Sequence, residues 1–233
     1  VSGFSLQRRG YRKAGGPAPI SEILAAILVK ISAWSGEKPL LDPFCGGGTL
    51  LIEAIRAAKN IPSAALAPPF CVFHWPNFSK EAWDDVKHKA HAKEKDLETR
   101  VIGSDISGTA LSLGQAHAQE AGLDHHIEWI KADARLLVPA QCPAGTILTN
   151  PPYGERIDIE DLEALYGDWG RQLKNHYADW EVWVLSAHKE ALKRIGFKHH
   201  SQHQFVSGTL PVWFRGFQLY SGSRKSSNQN SDK

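Results

Sequence analysis

Methionine is missing from all 233 residues, and the chain opens on Val1. The expectation is a piece of a longer chain, or one whose methionines have been replaced, with a further domain outside it. Cysteine is scarce: Cys45, Cys71 and Cys142 are odd in number and far apart. They form neither a disulfide framework nor a zinc pattern, so no metal is expected and a reducing cytoplasm is the expected compartment. No apolar run approaches the roughly 20 residues of a membrane span, and no secretory signal is visible. An excess of either charge is lacking too. With 27 Lys and Arg against 25 Asp and Glu, any nucleic-acid footprint must be local. Internal repeats are absent. Two phosphate-binding patterns are excluded at the glycine-rich stretch Gly46-Gly47-Gly48. No Lys follows it, as a Walker loop requires, and Leu51 stands where a dinucleotide fingerprint needs its third glycine.

What is present is organised around Asn150-Pro151-Pro152-Tyr153, which closes the apolar run at 146–149. Two prolines fix φ and supply no N–H, so a strand cannot continue through them. Asn150 is then left at the carboxyl end of a strand, where open α/β sheets bind ligands. Its side-chain oxygen and the Pro151 carbonyl can face one point, a pair of acceptors suited to an exocyclic amine. Tyr153 offers a flat surface for a base. A plain turn with an exposed aromatic explains the tetrapeptide alone equally well.

The flanking pattern alternates strands and helices. Helices are expected over 21–33, 50–59, 79–98, 108–121, 159–177 and 189–195. Strands are expected at 39–42, 100–105, 127–131, 146–149 and 181–186, with an antiparallel pair over 196–205 and 211–220. This implies an α/β fold with a mostly parallel sheet and right-handed crossovers. Residues 1–36 read as a basic arm and helix, and 37–220 as the main domain. Residues 60–100 are an insertion broken by prolines and packed down by aromatics, and 221–233 a disordered tail. Three acids end successive strands: Asp42, Asp105 and Asp133. Asp42 precedes the glycine turn, where it favours a ligand with a cationic group such as an amino-acid ammonium. Asp105 can accept two ribose hydroxyls, and Asp133 the amino group of an adenine. In the arm, Arg8, Arg9, Tyr11 and Arg12 combine charge and aromatic surface, suiting an RNA backbone and base as well as a solvated surface. Arg156 can reach a phosphate. His88 and His91 lie one turn apart without a further ligand, so a solvated face explains them better than a metal.

Together, the stretch 42–49, Asp105, Asp133 and the stretch 150–156 resemble the S-adenosylmethionine-dependent methyltransferases. With the opening Arg8-Arg9-Gly10-Tyr11-Arg12, the chain most resembles the catalytic domain of THUMP-type RNA methylases, specifically bacterial 23S ribosomal RNA guanine-N2 methyltransferases of the RlmL type. The likeness runs to about Tyr220. It implies a Rossmann-like seven-stranded sheet with helices on both faces and the last strand antiparallel, S-adenosyl-L-methionine as cofactor, ribosomal RNA as partner, and an RNA-binding THUMP domain upstream. It implies cofactor contacts from Asp42, Pro43, Phe44, Cys45, Gly46, Gly48, Thr49, Asp105, Ile106, Asp133, Ala134 and Asn150. Catalysis falls to Asn150, Pro151, Pro152 and Tyr153. Phe44 and Gly47 stand where Met and Ser are expected, and both are compatible with cofactor binding.

The amine motif is shared with adenine-N6 and protein glutamine methylases, and an adenine-N6 activity on RNA or DNA fits it equally. The Arg-rich opening favours RNA over a glutamine substrate. A cytosine-C5 activity needs a cysteine where Pro152 and Tyr153 stand. An oxidoreductase would need the absent third glycine. An RNA-binding module with a vestigial cofactor pocket is the non-enzyme alternative.

Overall fold

The computed structural model describes residues 9–12, 20–62, 70–138, 142–153 and 159–220. Helix α1 (Glu22–Ser32) starts where Ser21 accepts a hydrogen bond from Leu24 N at 3.2 Å, and it ends at Ala33 in the left-handed region. Strand β1 (Leu40–Asp42) runs through a glycine turn into α2 (Thr49–Ala58). The insertion carries α3 (Lys80–His91), capped by Ser79. Then come β2 (Val101–Asp105), α4 (Gly108–Glu120), β3 (Ile127–Lys131) and β4 (Thr146–Thr149). The chain closes with α5 (Ile159–His176), β5 (Glu181–Ser186), α6 (Lys189–Arg194), β6 (Ser201–Ser207) and β7 (Leu210–Gln218).

The strands form one sheet in the order β3-β2-β1-β4-β5-β7-β6. Pairing is parallel from β3 to β5, whereas β7 runs antiparallel to both its neighbours, β5 and β6. This is the sheet that the sequence implied. Order reverses at β1, whose neighbours are β2 and β4, and this is where a doubly wound sheet opens its ligand crevice.

Strand alternation sends neighbouring side chains to opposite faces. Leu40, Leu148, Trp183 and Leu185 join a core with α1 and α2, while Leu41, Ile147, Val182 and Val184 join one with α5 and α6. Both faces of the central strands are thus buried, which accounts for their continuous apolar runs. The stretch expected as a separate arm and helix contributes Tyr11, Ile20, Leu28 and Trp34 to the first of these cores.

Some boundaries differ from expectation. Helix α3 ends at His91 rather than near residue 98. Beyond it, Lys95 N donates to Lys59 O at 2.8 Å and Leu97 packs against the first core, which pulls the chain out of helical geometry. The insertion's aromatics hold one another rather than the core. Phe73 contacts Phe70, Phe78 and Trp83 edge-on, and α3 buries none of its residues. The first strand of the closing pair begins at Ser201, not 196. Phe214 and Phe217 of β7 are buried in the core. The tail at 221–233 lies outside the described residues.

Candidate active site

The carboxyl ends of β1, β2, β3 and β4 open into one cavity of about 590 Å³. β1 brings Asp42 to it, β2 Asp105, β3 Asp133 and β4 Asn150, so residues scattered over more than 100 positions meet because parallel strands end on one side. Pro43, Phe44, Cys45, Gly46, Thr49, Ile106 and Ala134 also line it. So do Pro151, Pro152 and Tyr153. Gly48 does not line it. It is the N-cap of α2 at φ +74°, and a Cβ there would meet Trp129 Cη2 at 2.7 Å. Its part is to turn the chain over the Trp129 ring.

The acids sit in three different environments. Asp42 is buried and accepts two hydrogen bonds on Oδ1, from Thr149 Oγ1 at 2.6 Å and Phe44 N at 3.1 Å. Burial pushes its pKa up to about 7, against the pull of those two donors, and the Asp105 charge adds a little. Asp105 braces the glycine turn. Its Oδ2 accepts from Gly46 N at 2.9 Å and its Oδ1 from Ser107 N at 2.8 Å. Asp133 is gripped by Arg135, whose Nε lies 3.0 Å from both carboxylate oxygens and whose Nη2 reaches Oδ2 at 2.5 Å. That hydrogen-bonded fork holds the Asp133 carboxyl below the usual carboxylate range.

The Asn150 side chain is the unsatisfied group of the site. Its Oδ1 is buried with no hydrogen-bond partner. The Tyr153 phenol lies close enough to this side chain to feel it. Burial raises the Tyr153 pKa, and the Asn150 contact opposes that shift. A buried acceptor without a donor costs on the order of 1–3 kcal/mol, so its persistence points to a ligand that supplies an N–H.

The basic arm is placed differently from expectation. Tyr11 is fully buried, with its hydroxyl donating to Glu53 Oε1 at 3.0 Å, so its ring offers no face to a nucleotide. This corrects its reading as an RNA contact. The cause is its apolar ring, which fills space between α2 and α4 and meets His117 edge-on. Arg9 pairs with the other oxygen of Glu53 at 3.6 Å. Arg12 turns inward and lines the cavity. Arg8 and Arg156 lie outside the described residues.

Three participants have no signal in the sequence. His117 lines the cavity, and its Nδ1–H donates to the Gly47 carbonyl at 3.0 Å, fixing the turn from 70 residues away. Trp129 lies beneath the turn, pressed by Gly48 and Gly114. Arg135 holds Asp133. Of these only Arg135, two residues after an acid, stands near a motif. Among the described residues, no group of three or more His, Cys, Asp or Glu side chains could hold a metal ion.

Residues 9–212 match the family described as "RMKL-like, methyltransferase domain". The chain belongs to that family. Its relatives are longer. A Synechocystis protein is 37% identical over 94% of this chain and 57% of its own length. The ribosomal RNA large subunit methyltransferase K/L of Psychromonas ingrahamii is 35% identical over 94% of this chain but only 30% of its own length. Among solved structures, SMU.472 in complex with S-adenosylhomocysteine superposes with a TM-score of 0.85 at 28% identity, covering 96% of this chain and 58% of that one. The superposition extends over the whole sheet that frames the cavity. The chain spans between 30% and 58% of the length of these relatives.

Proposed function

We propose that this domain is an S-adenosylmethionine-dependent RNA methyltransferase that methylates the exocyclic N2 amine of a guanine in large-subunit (23S) ribosomal RNA. The observation that carries the reading is the orphaned Asn150 Oδ1 in the cavity wall. Support for the substrate comes from the K/L name of the relative in Psychromonas ingrahamii.

The residues fit the cofactor. Asp42 suits its ammonium, Asp105 its ribose hydroxyls and Asp133 the adenine amine. A Cβ added to Gly46 would meet no protein atom within 4 Å, so this wall leaves its space to a ligand. When bound, the cofactor supplies a sulfonium-activated methyl group, whose carbon–sulfur bond breaks as the nitrogen–carbon bond forms. The protein's task is orientation. An exocyclic amine is a weak nucleophile because its lone pair is delocalised into the ring. Acceptance of its two N–H groups by Asn150 Oδ1 and the Pro151 carbonyl concentrates that lone pair on nitrogen and aims it. Such positioning is the chief catalytic device where the reagent is already activated. After transfer the amine gives one proton to water. Tyr153, half-buried beside Asn150, supplies the stacking face, and the base leaves its helix to reach it. An upstream THUMP domain is proposed as the main RNA grip of the full-length protein.

The test is methylation of unmodified large-subunit ribosomal RNA with labelled cofactor, followed by nucleoside mass spectrometry. N2-methylguanosine is the expected product. N6-methyladenosine would keep the amine chemistry and replace the substrate. Cofactor binding without transfer would point to the proposed upstream THUMP domain as the next component to supply. Absence of cofactor binding would overturn the reading of the cavity.

A further inference from the structure

We infer that Arg12 binds the carboxylate of the cofactor's amino-acid end, an assignment that rests on the cofactor reading above. The opening segment belongs on this view to the cofactor site.

Its path makes the case. The Tyr11 ring is fully buried, and its hydroxyl bond to Glu53 pins residue 11 against α2. The next side chain, Arg12, is only 16% exposed. Its Nη1 donates to the Ile20 carbonyl at 2.9 Å and lies 3.8 Å from Glu22 Oε2. Those two contacts hold the guanidinium beside the start of α1, and Arg12 lines the cavity, as do Ile20, Gly47, Thr49 and Leu50. A guanidinium carries five N–H donors in a fork that matches a carboxylate, and Ile20 takes one of them.

The charges of the cavity are complementary to an α-amino acid. Asp42 supplies the anion near the glycine turn, and Arg12 supplies a cation. A zwitterion, with an ammonium and a carboxylate on one carbon, is satisfied by such a pair. Thr49 and Leu50, at the N-terminus of α2, line the same cavity as Arg12, and the N-cap Gly48 offers no side-chain acceptor to the first-turn amides. Those amides add to the preference for negative charge at that end.

The experiment compares two ligands by titration calorimetry. S-adenosylhomocysteine carries the amino-acid end, and 5′-methylthioadenosine has the same adenosine and sulfur without it. Arg12→Ala should weaken S-adenosylhomocysteine by about 10- to 100-fold, the range of a charge-assisted bidentate contact, and leave 5′-methylthioadenosine within about twofold. Arg12→Lys should fall between, because an ammonium loses the fork. Arg12→Gln, which keeps an N–H for Ile20, guards against loss of folding and should repeat the selective weakening. Equal weakening of both ligands by Arg12→Gln would make Arg12 a structural residue and overturn the assignment. Unchanged S-adenosylhomocysteine binding with weakened ribosomal RNA binding would overturn it in favour of an RNA contact. If the wild-type protein binds neither ligand, the cofactor reading fails, and the assignment falls with it.

Discussion

The Thr149 hydroxyl donates to Asp42 Oδ1 at 2.6 Å, joining the residue before Asn150 to the acid before the glycine turn. The strands that carry them, β1 and β4, are neighbours, so a single buried bond ties the substrate side of the cavity to its cofactor side. Thr149→Val keeps the shape and removes the donor. We expect a loss of about 1–3 kcal/mol in urea unfolding, the cost of an acceptor left short of a partner in the interior. Cofactor affinity should fall as well, because the Asp42 carboxyl loses the bond that orients it.

Asp42 sets a pH dependence whose sign follows from linkage. Its folded pKa of about 7 stands above the ordinary aspartate value of 3.8, so between the two the folded state holds a proton that the unfolded chain has released. Its contribution to stability is full below the unfolded value, declines as pH rises toward 7 and levels off above that. With 1.36 kcal/mol per unit, the decline is on the order of 4 kcal/mol. Asp42→Asn should flatten this slope and make the protein more stable than wild type at pH 8. The same variant should abolish the rise in S-adenosylhomocysteine affinity expected for wild type between pH 6 and pH 8, because the ammonium requires an ionised partner. Unfolding curves and calorimetry across that range check both.

Asn150→Ala separates binding from transfer. The orphaned Oδ1 contributes no internal bond, so stability should hold or rise slightly. Single-turnover methylation should fall by at least about 100-fold, with cofactor affinity changed by less than about threefold. Parallel loss of both would assign Asn150 to the cofactor rather than to the amine.

The Trp129 ring fills a slot left by glycines, and small additions should close it. A Cβ on Gly114 would stand 2.7 Å from both Cη2 and Cζ3 of Trp129. Neither the ring nor α4 can yield freely, so Gly114→Ala should cost about 1–3 kcal/mol and loosen the glycine turn. Chemical denaturation reads the first effect. Weaker S-adenosylhomocysteine binding reads the second.

Fold and cavity were legible to different depths in the sequence. Strand ends marked by Asp42, Asp105, Asp133 and Asn150 announced a single site, because parallel strands deliver their carboxyl ends to one side. The order of the helices and the antiparallel close at 210–218 were likewise readable from periodicity and turns. The position of the arm was not. Arg9, Tyr11 and Arg12 read as surface chemistry, yet Glu53, hidden within an apolar helix, draws Tyr11 and Arg9 inward. A buried acid reveals its partner only in three dimensions. His117 and Trp129 were invisible for a related reason. Their roles depend on contacts with Gly47 and Gly48, which no local pattern encodes.

The place of β7 between β5 and β6 bears on how the molecule is made. Every described residue around the cavity lies at or before Leu165, but β5 gains its outer partner only from residues 213–218. Translation proceeds at about 5–20 residues per second, so roughly 2–6 s separate the synthesis of β5 from that of its partner. For that time β5 has one unpaired edge with Val182, Val184 and Leu185 beside it, the kind of surface that recruits chaperones or a neighbouring nascent chain. On a polysome, the risk of aggregation is therefore concentrated in the interval after the cavity residues have been made and before the sheet is sealed.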